Sequence, residues 1–157
     1  MKKKRVVIIS LLLLLVSVIG ISSYFLFKDK INLLDVDHSA VDWNGKKQKD
    51  TSGEENTIAI PGFEKVTLYA NETKQAVNFH NPEINDCYFK ISLIHPDGSV
   101  LWRSDLIEPG KGMYSIELEK TLAVGEYENA VLKYECFSLN DQSPLNGSEI
   151  NLKLVVV

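Results

Sequence analysis

Few residues of this chain are of types that do chemistry, and their spacing limits what they can do. Cys87 and Cys136 are the only cysteines, 49 residues apart. The pair is expected to close a disulfide, worth roughly 4 kcal/mol for a loop of that length in the chain-entropy account. The opposing reading is two small buried hydrophobes that stay reduced. His38, His80 and His95 fall in a polar stretch, at the end of an apolar segment and beside Pro96, without zinc-type spacing. Asp35-Val36-Asp37-His38, with Asp42 beyond, offers oxygens and an imidazole but lacks the glycine turn and closing glutamate of a calcium loop. It reads as solvated linker. Glu54-Glu55 lies in a polar stretch that cannot hold two carboxylates at the fixed separation glycoside hydrolysis requires. There is no glycine-rich phosphate loop and no nucleophile elbow. The expectation is a non-enzyme without cofactor or metal.

What remains is recognition. Tyr88, Trp102 and Tyr114 lie on or near segments of strand-like composition, where surface aromatics stack on sugar rings or anchor a protein interface. Tyr88 falls on the non-core phase of its segment, and Trp102 could face either way. The structural alternative is that these aromatics cap the core or its rim.

The elements that must carry these residues come from a pattern of short apolar runs. From residue 57 to 157, segments rich in β-branched and aromatic types are broken every 8 to 12 residues by turn chemistry. Strands are predicted over 57–60, 65–70, 75–79, 87–94, 100–103, 114–119, 126–138 and 149–156. The breaks are Pro61-Gly62, 71–74, Asn81-Pro82, His95-Pro96-Asp97-Gly98, Pro109-Gly110, Gly125 and 144–147. The pattern predicts an all-β domain, an immunoglobulin-like antiparallel β-sandwich of about seven to eight strands. Period-two alternation puts Cys87, Phe89, Ile91 and Leu93 on one face, and Ala130, Leu132, Tyr134 and Cys136 on one face of the longest run. Neither set holds a charge, so both cysteines are expected in the core. In an immunoglobulin-like order their strands are antiparallel neighbours, so the start of one meets the end of the other. Tyr127, just after Gly125-Glu126, stands where a corner tyrosine belongs, its hydroxyl expected buried and bonded to nearby backbone.

Ahead of this domain lie two segments of different character. Lys2-Lys3-Lys4-Arg5 is followed by 22 uncharged residues, 6–27, sixteen of them Leu, Ile, Val or Phe. As a helix such a run is about 33 Å long, enough for a hydrocarbon core of roughly 30 Å. The basic end stays in the cytoplasm by the positive-inside bias, which puts everything after Lys28 outside it. A cleaved signal peptide is the competing reading, since Gly20, Ser22 and Ser23 are small. It is disfavoured because the apolar run continues into Tyr24-Phe25-Leu26-Phe27. Residues 1–27 are therefore expected as a single-pass signal-anchor in the plasma membrane, with 6–27 in contact with lipid. Residues 28–56 are polar without hydrophobic period and read as a tether.

Charge divides along the same line. Residues 1–30 carry net +5, and residues 31–157, with eleven basic and twenty acidic side chains, carry net −9. An acidic external domain is repelled by nucleic acid, which is excluded as a partner. Beyond solubility, the charge could attract cations or basic protein surfaces.

The run Asn81-Pro82-Glu83-Ile84-Asn85-Asp86-Cys87-Tyr88-Phe89, then Asp97-Gly98, Leu106 to Lys111 and Gly125 to Phe137, resembles a group of small Gram-positive envelope proteins. The resemblance covers about 60–157 and implies one N-terminal membrane helix, a polar tether and an immunoglobulin-like domain. It carries no catalytic residues. The function expected is a membrane-tethered, extracytoplasmic protein-interaction module of the cell envelope. A glycan-binding module is the alternative, and a noncatalytic subunit of a transport or conjugation assembly is a third reading.

Overall fold

The computed structural model describes residues 33–45 and 57–157. The apolar run 6–27 lies outside the described residues, and among those described no helix is long and apolar enough to cross a membrane.

The described chain is all-β. Its strands are β1 (Val41–Asp42), β2 (Lys65–Leu68), β3 (Lys74–His80), β4 (Cys87–Ile94), β5 (Val100–Arg103), β6 (Lys111–Glu117), β7 (Gly125–Ser138) and β8 (Pro144–Val156). They form two sheets, one ordered β1-β6-β3 and the other β2-β8-β7-β4-β5. All neighbours run antiparallel except β2 and β8, which are parallel from Lys65↔Lys153 to Leu68↔Val156. The expectation of a wholly antiparallel arrangement is corrected at this edge. The chain reaches β2 from another sheet, so no hairpin fixes its direction.

One core lies between the sheets. Phe89, Ile91 and Leu93 of β4 and Ala130, Leu132 and Tyr134 of β7 are buried from one side, Phe79, Met113 and Ile116 from the other. Burying each large apolar side chain contributes roughly 1.5–3 kcal/mol. This is the face the period-two alternation selects, because opposite residues on paired strands share a side. Trp102 joins this core at 7% exposure, its ring centroid 5.8 Å from that of Phe79.

Two polar residues complete what the strands leave undone. Residues 57–60, predicted as a strand, do not form one. Asn85 instead offers its side-chain amide: Ala59 N donates to Asn85 Oδ1 at 2.8 Å, and Asn85 Nδ2 donates to Ala59 O at 3.0 Å. Asn85 also donates to Asn81 Oδ1, and Asn81 Nδ2 donates to the carbonyls of Cys87 and Ile107 at 2.8 and 2.9 Å. A buried amide thus stands in for a neighbouring strand, satisfying backbone groups that would otherwise be costly to bury.

The largest departure from the expected organisation concerns the tether. Residues 34–45 belong to the same compact unit as the rest of the domain. Val41 pairs with Gly112 and Asp42 with Lys111, so β1 adds to the free side of β6. Asp37 N donates to Leu106 O at 2.8 Å, and Leu106 N to Asp35 O at 2.9 Å. Gln142, at φ 55°, holds Leu34 by both backbone groups, accepting from its N at 2.6 Å and donating to its O at 3.1 Å. A polar composition reads as linker because no hydrophobic period demands burial. This segment is held by backbone pairing and by one tryptophan, and neither leaves a period in the sequence.

Candidate functional site

Trp43 is that tryptophan, and it builds one wall of a cleft. Its backbone N donates to Gly110 O at 2.9 Å, continuing β1 past its last paired residue. The indole stacks on His80 with centroids 3.8 Å apart and planes 9° from parallel, and its Nε1 donates to Asn78 Oδ1 at 2.7 Å. Room for it depends on Gly112, where an added Cβ would stand 2.8 Å from Trp43 Cδ1 and 3.0 Å from the Phe79 carbonyl oxygen. Asn44 extends the wall: its backbone N donates to the Tyr114 hydroxyl, which donates in turn to Asn44 Oδ1 at 2.8 Å.

Gly110 is the floor shared by both walls. At φ 76° it holds a conformation that L side chains rarely adopt. Its N donates to Asn81 O at 2.9 Å, and the Glu83 side chain lies across it, with Cγ 3.6 Å from where a Cβ would be. The second wall is the turn Pro82-Glu83-Ile84, closed by Asn85 N donating to Pro82 O at 3.1 Å. The cleft between the walls has a volume of about 630 Å³. Its rim is acidic. Asp42 is paired with Lys111, whose ammonium holds the carboxyl below the usual range, first by hydrogen bond and then by charge. Lys111 is pushed up in return, by Asp42 and then by Glu108. Among the described residues Glu83 has no ion pair.

A second cleft, of about 840 Å³, opens on the far side of Ile84, between residues 57–60 and the start of β8. Ile84 borders both clefts and is 63% exposed. No protein family, curated protein or solved structure matches the chain. The site therefore has to be read from its own geometry.

The aromatics picked out from the sequence are not brought together. Trp102 lies in the core and offers no binding surface, a correction to its candidacy. It is buried because it stands opposite Leu93 of β4, whose side chain faces the core; the register shifts just beyond this pair, between Leu93 and Ile94, and the adjacent Leu101 is buried as well. Tyr88 is half-buried on β4 and Tyr114 is exposed on β6, in different sheets. Tyr114 serves the cleft wall through Asn44. Tyr127 donates its hydroxyl to Ala123 O at 2.9 Å, four residues upstream, from a half-buried rather than a buried position.

Cys87 and Cys136 lie on adjacent antiparallel strands, both 1% exposed, as free thiols rather than as the expected disulfide. The register explains this. Phe89 faces Cys136 and Cys87 faces Ser138, so the cysteines are diagonal neighbours. Diagonal pairs on a sheet stand roughly 7–8 Å apart, against about 4.4–6.8 Å between the Cα atoms of a disulfide. The neighbouring Cys87 thiol, together with burial, pushes Cys136 up.

The aspartate-rich stretch at 35–42 is used structurally. Asp37 Oδ1 accepts from the backbone and hydroxyl of Ser39, and its Oδ2 accepts from Asp105 N at 3.2 Å. Among the described residues no group of three or more His, Cys, Asp or Glu side chains could hold a metal.

The Trp43 cleft was not legible as a site. Its one signal was a lone tryptophan in a polar stretch, and its opposite wall lies 39 residues away in sequence, at Pro82.

Proposed function

We propose that this chain is a membrane-tethered, extracytoplasmic protein-interaction module of the bacterial cell envelope, its domain an immunoglobulin-like sandwich. Support for the fold comes from the strand order. β7 is flanked by β4 and β8 in one sheet and opposed by the β3–β6 pair, the arrangement of the C, F, G and B, E strands. β1 then fills the place beside E that strand D takes in that family. The Tyr127 hydroxyl bonded four residues upstream adds a corner of the expected kind. Support for the tether is the uncharged run 6–27 behind a basic cluster.

The interaction reading is carried by one observation: Ile84, 63% exposed, is a large apolar ridge between two clefts. An apolar side chain between two concave surfaces offers a partner an anchor ringed by pockets. The glycan alternative has less behind it, because Trp102 is buried and Tyr88 and Tyr114 stand on different sheets.

A photo-crosslinking residue at position 84 of the full-length chain, in its native envelope, is expected to give a discrete protein adduct. Position 124, where the exposed Val124 borders neither cleft, is the control. The same adducts from both positions, or none from 84, would sink the reading.

A further inference from the structure

We propose that the cleft between Asp42–Gly45 and Pro82–Ile84 receives an arginine side chain of the partner protein. This rests on the interaction-module reading and names the site and chemistry through which it acts.

Three properties of the cleft lead there. Its walls carry carboxylates on both sides, Asp42 from one and Glu83 from the other. Lys111 offsets Asp42, while among the described residues Glu83 has no ion pair, in a region carrying net −9 from residue 31 onward. The charge asks for a cation. The lining between the carboxylates is an indole with the His80 imidazole stacked on it, two prolines and Ile84, with Asn44 and two glycines, a surface that favours a weakly hydrated, planar cation. A guanidinium presents five donors in a fixed fork and lies well on aromatic and apolar surface, whereas an ammonium is a compact, strongly hydrated point charge. Arginine is also among the residues most enriched at interface hot spots, seated in pockets ringed by apolar contacts, and Ile84 supplies such a contact.

The site is held in place before any ligand arrives. Gly110 bonds to Trp43 on one wall and Asn81 beneath the other, and the Glu83 stem lies over it. A cleft fixed in this way loses little entropy on binding. Because one wall is the 34–45 segment itself, an occupant also favours the docked form of that segment.

The test uses the ¹⁵N-labelled full-length chain in micelles, where the two tryptophans give two indole N–H signals, assigned with Trp43→Phe. The probes are acetyl-Leu-Arg-Leu-amide and the same peptide with citrulline, the uncharged isostere, or lysine. The arginine peptide is expected to move the Trp43 signal saturably and leave that of Trp102 in place, with binding weakened by salt. Citrulline should abolish the shift. Glu83→Gln, at an exposed position that leaves folding intact, should weaken binding about tenfold. An equal response to citrulline, or no effect of Glu83→Gln, would overturn the site. An equal response to lysine would overturn the choice of arginine, and a saturable shift with a disaccharide would replace it with the glycan reading. Failure of the position-84 crosslink beside a positive peptide titration would remove the partner while keeping the site.

Discussion

At the scale of single residues, two glycines and a thiol pair make the sharpest claims. Gly112 is small because Trp43 lies over it, so Gly112→Ala drives a methyl against both the indole and the Phe79 carbonyl. Overpacking of this kind costs about 1–3 kcal/mol. Chemical denaturation should show that loss, and tryptophan emission should shift red as Trp43 is displaced. Gly147 is more constrained, since a Cβ there would overlap the carbonyl oxygen of Tyr134, which is backbone and cannot turn aside. Gly147→Ala should therefore lower the melting temperature more than Gly112→Ala does. For Cys87 and Cys136, the diagonal register predicts two alkylated thiols per chain when protein is unfolded without reductant. A count of zero would mean that β4 and β7 shift enough to close the gap between them.

At the scale of elements, the segment 34–45 behaves as a strap. It has a two-residue strand, a stacked indole and backbone bonds to Leu106 and Gly110. Trp43→Ala removes the stack and orphans Asn78, with an expected loss of about 2–3 kcal/mol. Hydrogen exchange should localise it: the amides of Asp37 and Trp43 lose protection while those of β4 and β7 keep theirs. Loss of protection throughout would show that the strap is part of the global folding unit instead. Asn85→Ala is the companion change behind the opposite wall of the cleft. It leaves Ala59 without its partner at both backbone groups and should cost about 2–4 kcal/mol. The central strands were legible because they alternate. The strap and 57–60 were not, since their partners are a sheet edge and a side-chain amide, neither of which imposes a period on them.

At the scale of the whole molecule, surface charge sets how stability varies with pH. Asp42, Asp97 and Asp141 are all held below the usual carboxylate range, by Lys111, by hydrogen bonds from Ser99, and by hydrogen bonds from Ser143 respectively. A depressed carboxyl contributes stability above its unfolded pKa of about 3.9 and loses it as pH falls through the folded value. Lys111 is raised by Asp42, Lys153 by Glu128 and Glu126, and Tyr134 by burial. Their contributions are full below unfolded values of about 10 and are lost as pH rises beyond them. As far as these groups decide it, the melting temperature should be flat from about pH 4.5 to 9.5 and fall on both sides. Because the charged groups are exposed, salt should flatten the acid limb.

The sequence by itself determined the class of the fold and the position of the inner face, because alternation with a period of two is a local property written along each strand. It determined the division of charge as well, since that is a count. The tertiary structure decided where the domain begins, which aromatics are inside, and which residues share a cleft. Each of these depends on pairings between distant segments: Val41 with Gly112, Trp43 with His80, and Pro82–Ile84 with Gly110. Trp102 faces inward because it pairs with Leu93 across the β4–β5 ladder, and nothing in its neighbours along the chain announces that register. Local pattern specifies which surfaces must be buried, while long-range pairing selects the segments that bury them.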